Sequence, residues 1–307
     1  MEEQMDKPTR DLIEIIHFTE NVSTKIHGIL DDDEIYRTVK GEFEKSKRYD
    51  VCIFLVTDDG SNVRVAEASI PFGKVKAVEK ATGLGRMKEY KIDLNKSSIL
   101  SQVVREGKTV QGNVSDIMGE VFPRPLAHLI ARIIGYKNRP VILTPLYRHG
   151  NAIGVFSVSS TELSEHFIPS AKNLAQHIST ALELADEHAE HKKAEEELAL
   201  ERDLLHALMD NIPDSIYFKD VASCFTRINR AQAQILGVND PRDAIGKTDF
   251  DFFTPEHARD AYADEQKIVK SRQPLISKVE KIRRADGQSR WVSATKVPIM
   301  DEEGQVT

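Results

Sequence analysis

Apolar residues along this chain fall into two rhythms, one of period two and one near 3.6. In "VCIFLVTDDGSNVRVAEAS" (51–69) two β-rich runs flank Asp58-Asp59-Gly60-Ser61, the composition of a hairpin turn. "RPVILTPLYRHGNAIGVFSVSS" (139–160) repeats the pattern around His149-Gly150-Asn151, and "EYKIDL" reads as a further strand. A polar, glycine-containing excursion separates the first hairpin from "EYKIDL". The helical rhythm opens the chain from Asp11 to Leu30 and returns in "SSILSQVVREG", with Ser at its start and Gly107 after its end. In "PSAKNLAQHISTALELA" it places Ala171, Leu174, Ala175, Ile178, Ala181, Leu182 and Ala185 on one face, which is a core-facing stripe.

That stripe begins a longer element. Pro169 and Pro213 bracket 43 residues with neither Pro nor Gly. A continuous helix there would run roughly 65 Å, more than one small domain can cover. Its middle, "EHAEHKKAEEELALERD" (187–203), has seven acids, three bases and few apolar groups, so it reads as a solvated helix leaving a domain. Leu184, His191, Leu198, Leu205 and Ile212 occupy one heptad position, while Glu187, Ala194, Glu201 and Leu208 occupy its partner. Only the first set is mostly apolar, and burying it calls for a second copy, a homodimer through the 184–212 helix. His188 and His191 on this wet helix lack a third fixed ligand, so no metal site is read there.

Beyond the helix, "SIYFKDVASCFTRINRAQAQIL" (215–236) reads as strand, turn, strand and helix. Asp220 to Ser223 supply the turn, Asn229 caps the helix and Gly237 ends it. Asp286-Gly287 then turns between two strands, and Trp291 is expected to pack inward from the second. "VPIMDEEGQVT" closes with only the start of a returning strand. A sheet ending there leaves ladder groups unpaired, which predicts that the chain continues past Thr307.

At 307 residues the chain suits two domains. Its net charge of −7 argues against a nucleic-acid or anionic-membrane surface. No apolar run approaches the ~18–20 residues of a membrane span, and the acidic N-terminus is unlike a signal peptide. Cys52 and Cys224, far apart in sequence, give neither a disulfide framework nor a zinc spacing. A reducing cytoplasm fits best. No P-loop, kinase His box, Gly-x-Ser-x-Gly or His-Glu-x-x-His occurs, so no catalytic residue is assigned.

The order strand, hairpin, strand, then "REGKTVQGNVSD" and "ILTPLYRHGNAIGVFSVSS" resembles the GAF domain over about residues 10–186. The stretch from Pro145-Leu146 to Ser160 is the most specific part. The resemblance implies a six-stranded antiparallel sheet with helices on one face and a small-molecule pocket on the other, closed by 117–135. Asn95-Lys96 matches the start of the family's cyclic-nucleotide motif, but the Phe and Asp-Glu that should follow are missing, and Asn95 reads as a helix cap. Neither cysteine is followed by the His of bilin-binding members. Cys52 alone does not meet the several cysteines of the methionine sulfoxide reductases; in its apolar strand it reads as a packed thiol. If this half holds haem or senses redox state, Cys52, His128 or His149 are the groups implied, with His128 otherwise a core-edge histidine.

"NIPDSIYFKDVASCFTRINRAQAQILG", "AIGKTDFDFFTPEHARD" and "ADGQSRWVSATKVPIMDEEGQ" resemble a PAS domain over about Leu205–Thr307, with Asn229, Ala231, Leu236 and Gly237 on its pattern. Cys224 lies in a strand, away from the helical Cys of flavin photosensors. The place of a haem-binding His holds Ala261 or Tyr262, with His257 a turn too early. A ligand cup here would use Ile216, Phe218, Phe225, Ile235, Leu236, Phe250, Phe253 and Trp291, with Asn229 and Thr248 as polar candidates.

The expected fold is α+β: a GAF domain at 1–186, a connecting helix at 187–204 and a PAS domain at 205–307, each with an antiparallel sheet. The resemblance implies a sensory input module of a cytoplasmic signalling protein, most often a histidine kinase, that binds a small molecule or senses redox state. The alternatives are a ligand-free dimerisation scaffold and a haem-based redox sensor.

Overall fold

The computed structural model describes residues 7–83, 85–136, 138–163, 165–284 and 287–307. It divides into two compact units, 1–193 and 194–307. The turn expected at Asp286-Gly287 falls partly outside the described residues, since Asp286 is not among them.

In the first unit α1 (Lys7–Ile26) and α2 (Asp32–Ser46) lead into the hairpin β1 (Asp50–Val56) and β2 (Asn62–Ala68). Then follow α3 (Phe72–Thr82), β3 (Lys91–Asp93), α4 (Ser98–Glu106), β4 (Val110–Asn113), α5 (Val114–Val121) and α6 (Arg124–Ile134). The hairpin β5 (Pro140–Arg148) and β6 (Asn151–Ser159) precedes α7 (Ile168–Asn211). The sheet is six-stranded and antiparallel, as the GAF resemblance implies, and its strand order is β3-β2-β1-β6-β5-β4. Four helices escaped the sequence reading, α5 and α6 among them in the stretch read only as closing the pocket. α2 is short and charged, and α3 lies in what reads as a polar excursion. Asn95 is not the cap of α4: Ser97 is, accepting the Leu100 N–H, while Asn95 accepts from Arg105 at 2.9 Å.

Strand alternation divides the core into two layers. Val51 and Ile53 of β1, Ile142 and Leu146 of β5 and Phe156 and Val158 of β6 pack with α1, α2 and the Leu174–Ile178–Leu182 stripe of α7. Their neighbours Val141, Leu143 and Val155 face the other way, against Leu100, Val103, Ile130 and Ile134. Helices therefore cover both faces of the sheet, where the resemblance placed them on one. Gly154 sits where β6 runs tightly beside β1: a Cβ there would lie 2.2 Å from the Phe54 carbonyl oxygen. The β5–β6 turn is His149-Gly150, both at positive φ, the two-residue form that matches strand twist.

The second unit holds β7 (Tyr217–Lys219), β8 (Phe225–Ile228), α8 (Arg230–Leu236), α9 (Pro255–Ser271), β9 (Leu275–Arg283) and β10 (Ser289–Lys296). β7 pairs with β8 and β9 with β10, both antiparallel. Its core is Phe225, Ile228, Ala233, Leu236, Ala244, Phe253 and Ile282. α8 is capped by Asn229 and ends at Gly237, as its sequence predicts. α7 is one unbroken helix. It gives Leu174 and Ile178 to the first unit's core, and its Met209 is buried near its other end.

Candidate functional site

In the first unit the face of the sheet opposite α7 is only partly filled. Cys52 and Phe54 of β1 and Val65 of β2 floor a chamber of about 140 Å³. Its roof comes from Val75 and Val78 of α3, Ile117 and Met118 of α5, Phe122, and Ile130 and Ile134 of α6. The wall is mostly apolar, and of its polar side chains Glu79, Thr82 and Tyr90 the first two are engaged. Glu79 accepts the Met87 N–H at 3.0 Å, and the Thr82 hydroxyl donates to the Val78 carbonyl at 2.8 Å. Burial pushes the Cys52 thiol up to about 12, with Glu67 acting in the same direction, so it stays a neutral, apolar wall group. A smaller chamber of about 90 Å³ shares Cys52, Phe54, Ile70, Ile117 and Met118 with the first and ends at Tyr136, Asp50 and Ser157.

Two fastenings position these walls. Glu120 of α5 accepts from the Ile99 N–H at 3.1 Å and from both Ser97 and Ser98 hydroxyls, tying α5 to the start of α4. Partial burial pushes its carboxyl up, but these hydrogen bonds outweigh it and hold the carboxyl below its ordinary value. On the other side, β5 grips α7. The Tyr147 N–H donates to Ser179 Oγ at 2.9 Å, the His149 N–H to Glu183 at 2.8 Å, and Arg148 contacts Asp32 at 2.7 Å and Asp186 at 3.1 Å.

The second unit's cup is more polar than its sequence suggests. Strand alternation turns Tyr217 and Lys219 inward and leaves Phe218 largely outside. The Lys219 side chain is only 7% exposed. Its ammonium meets the Asp249 carboxylate, bonds Glu265 Oε1 at 2.8 Å and lies 4.5 Å from the centre of the Phe225 ring. Lys296 approaches the same Glu265 oxygen at 3.4 Å, while Glu265 Oε2 is buried without a hydrogen bond among the described residues. Burial pushes the Asp249 carboxyl up against the pull of Lys219. A cavity of about 350 Å³ is lined by Lys219, Glu265 and Lys296, and another of about 140 Å³ by Gln232, Asp249, Phe253 and His257. The arrangement sets two cations against two carboxylates beside open space, the equipment for holding a polar molecule.

The residues expected to bind a ligand disperse. Asn229 is fully buried and spent: its amide donates to the Met209 and Asp214 carbonyls, and its oxygen accepts from the Ile216 and Gln232 N–H groups. Thr248 caps a short helical turn through Asp251. Phe253 is buried on the cup and stacks edge-on with His257, and Phe218 borders the larger cavity. Phe250 is 52% exposed. Trp291 does not pack inward: it is 69% exposed, because its neighbour Val292 takes the inner side of β10. A one-residue difference in register exchanges the faces of a strand. In the first unit Cys52 lines the chamber, but His128 sits on the exposed side of α6, bonding the Arg124 carbonyl at 2.7 Å. Haem does not fit these residues, since a chamber near 140 Å³ takes a benzene-sized body and the histidine lies outside it. Sequence reasoning missed Tyr136 and the Lys219 cluster. The one available signal for the latter was a lysine two residues after Tyr217 on an inward strand face.

A family model described as the PAS fold matches residues 209–307. Among solved structures, a methyl-accepting chemotaxis protein fragment aligns at 16% identity over 55% of this chain and 98% of its own, with a TM-score of 0.41. The GAF domain of a phosphoenolpyruvate-protein phosphotransferase from Coxiella burnetii aligns at 14% identity over 60% of this chain and 98% of its own, TM-score 0.40. VqmA of Vibrio cholerae aligns at 24% over 33% of this chain, TM-score 0.30, and the chain spans under half of it, 44%. No curated protein matches. No helix among the described residues is long and apolar enough to cross a membrane.

Proposed function

We propose that this chain is a GAF–PAS sensory input region of a signal-transduction protein, with a histidine kinase as its output and the cytoplasm as its compartment. The first unit takes a small molecule into the chamber between β1–β2 and α3, α5 and α6. Occupancy changes the packing of the sheet, and the β5–β6 hairpin passes the change to α7 through Tyr147, Arg148 and His149. The observation that carries this reading is the partly open, mostly apolar chamber on one face of a sheet whose other face is bonded to a 44-residue helix. A ligand acts by binding one packing arrangement of that helix better than another. The leucines at 184, 198 and 205, all exposed in the single chain, suit a homodimer formed through α7.

Native purification followed by denaturing extraction and mass spectrometry tests the reading. A stoichiometric small molecule that disappears when Met118→Trp fills the chamber supports it. A ligand retained unchanged by that variant rules the chamber out.

A further inference from the structure

Resting on the reading of the first unit's chamber as a sensory pocket, we infer that its ligand is an uncharged molecule with a ring-sized apolar body and one hydrogen-bond acceptor, bonded by Tyr136. Body and acceptor correspond to the two neighbouring chambers, which share five lining residues. The larger, near 140 Å³, matches the size of apolar cavities that hold benzene; its Glu79 and Thr82 side chains are already bonded within the protein, and the Tyr90 hydroxyl is its other oxygen-bearing side chain. The smaller, near 90 Å³, is polar at one end.

Tyr136 is 8% exposed, and its hydroxyl has no hydrogen-bond partner among the described residues. A buried hydroxyl without a partner is costly, so a group placed to satisfy it is favoured. Burial and the Asp50 carboxylate, through its charge and through an approach too long or too bent to count as a full hydrogen bond, push this hydroxyl well above the ordinary tyrosine range. It therefore keeps its proton and can donate. Asp50 itself is taken by Arg139 at 2.5 Å, and the Arg139 guanidinium lies over the Tyr136 ring at 4.7 Å. That pairing leaves no net charge at the polar end for an ionic ligand to match. A carboxylate would face Asp50, and an ammonium would have to compete with Arg139 for that same carboxylate. A carbonyl or ether oxygen meets neither objection.

The test uses the whole chain and four probes of similar size: acetophenone, α-methylstyrene (the same shape with CH₂ in place of the carbonyl oxygen), benzoate and benzylamine. Binding is measured calorimetrically on the wild type and on Tyr136→Phe. Acetophenone is expected to bind the wild type about fivefold more tightly than α-methylstyrene, the worth of one neutral hydrogen bond. Tyr136→Phe should erase that difference without weakening α-methylstyrene. The wild-type comparison needs no variant, so it stands even if Tyr136→Phe folds poorly. Equal binding of the two neutral probes, or a preference that survives Tyr136→Phe, overturns the acceptor claim while leaving the chamber a pocket. Tightest binding by benzoate or benzylamine overturns the uncharged class. If no probe binds at millimolar concentration, this inference and the sensory reading of the chamber fall together.

Discussion

Asn229 Nδ2 donates to the Met209 carbonyl at 3.0 Å, so the residue that caps α8 also holds the last turn of the long helix α7. Its side chain makes four hydrogen bonds, all to backbone groups of 209–232. Asn229→Ala should destabilise the second unit by about 2–4 kcal/mol, because buried backbone groups lose their partners. Asn229→Ser, which keeps a cap, should recover about 1 kcal/mol of that. Urea unfolding followed by circular dichroism decides it; a loss below about 0.5 kcal/mol for the alanine variant would refute the linchpin role.

The Cys52 thiol, pushed up to about 12, should resist alkylation. Against an ordinary thiol near 8.5, its thiolate fraction at pH 8 falls on the order of a thousandfold. Peptide mapping after iodoacetamide treatment should therefore find Cys52 unlabelled in the folded chain and labelled in urea. Fast labelling of the folded protein would mean that the chamber floor is open.

Glu120 links stability to pH. Its carboxyl is lowered in the folded state relative to about 4.3 in the unfolded chain. Its contribution is thus fully present above that unfolded value and is lost as pH falls through the folded one. Glu120→Gln should cost about 1 kcal/mol at pH 7, and the gap between variant and wild type should close in acid below about pH 4. A gap that stays constant down to pH 3 would assign the cost to shape and not to charge.

Lys219 is the only cation within 3 Å of Asp249 and Glu265 among the described ion pairs. Lys219→Met strands the buried Asp249 carboxylate and leaves Glu265 only Lys296 at 3.4 Å, and should cost the second unit about 3–5 kcal/mol. Adding Asp249→Asn should restore part of this, since a neutral amide needs no counter-charge. Equal stability of the single and double variants would show that the two side chains are not coupled.

Dimerisation through α7 should depend on its exposed leucines. Leu198 is 68% exposed in the single chain, and burial of such a side chain stabilises by about 1.5–3 kcal/mol. Leu198→Glu combined with Leu205→Glu is expected to halve the mass measured by light scattering. An unchanged mass would locate the interface elsewhere.

Several elements follow from local chemistry alone. Hairpins at Asp58–Ser61 and His149–Gly150 need only turn residues between apolar runs. The α7 stripe needs only its spacing, and the Asn229 and Gly237 ends of α8 only the caps themselves. The helix α2 escaped because a short charged helix carries little apolar rhythm of its own and is held by packing through Ile35, Val39 and Phe43. The sites depend instead on how distant segments pack. Which face of β10 turns inward rests on how its strand pairs with β9, and that exchanged Trp291 for Val292. The meeting of Lys219, Asp249, Glu265 and Lys296, and of Tyr136 with Asp50 and Arg139, joins residues distant in sequence. No local pattern encodes such meetings, because strand alternation fixes only which side a residue faces. What it faces depends on where the rest of the chain packs.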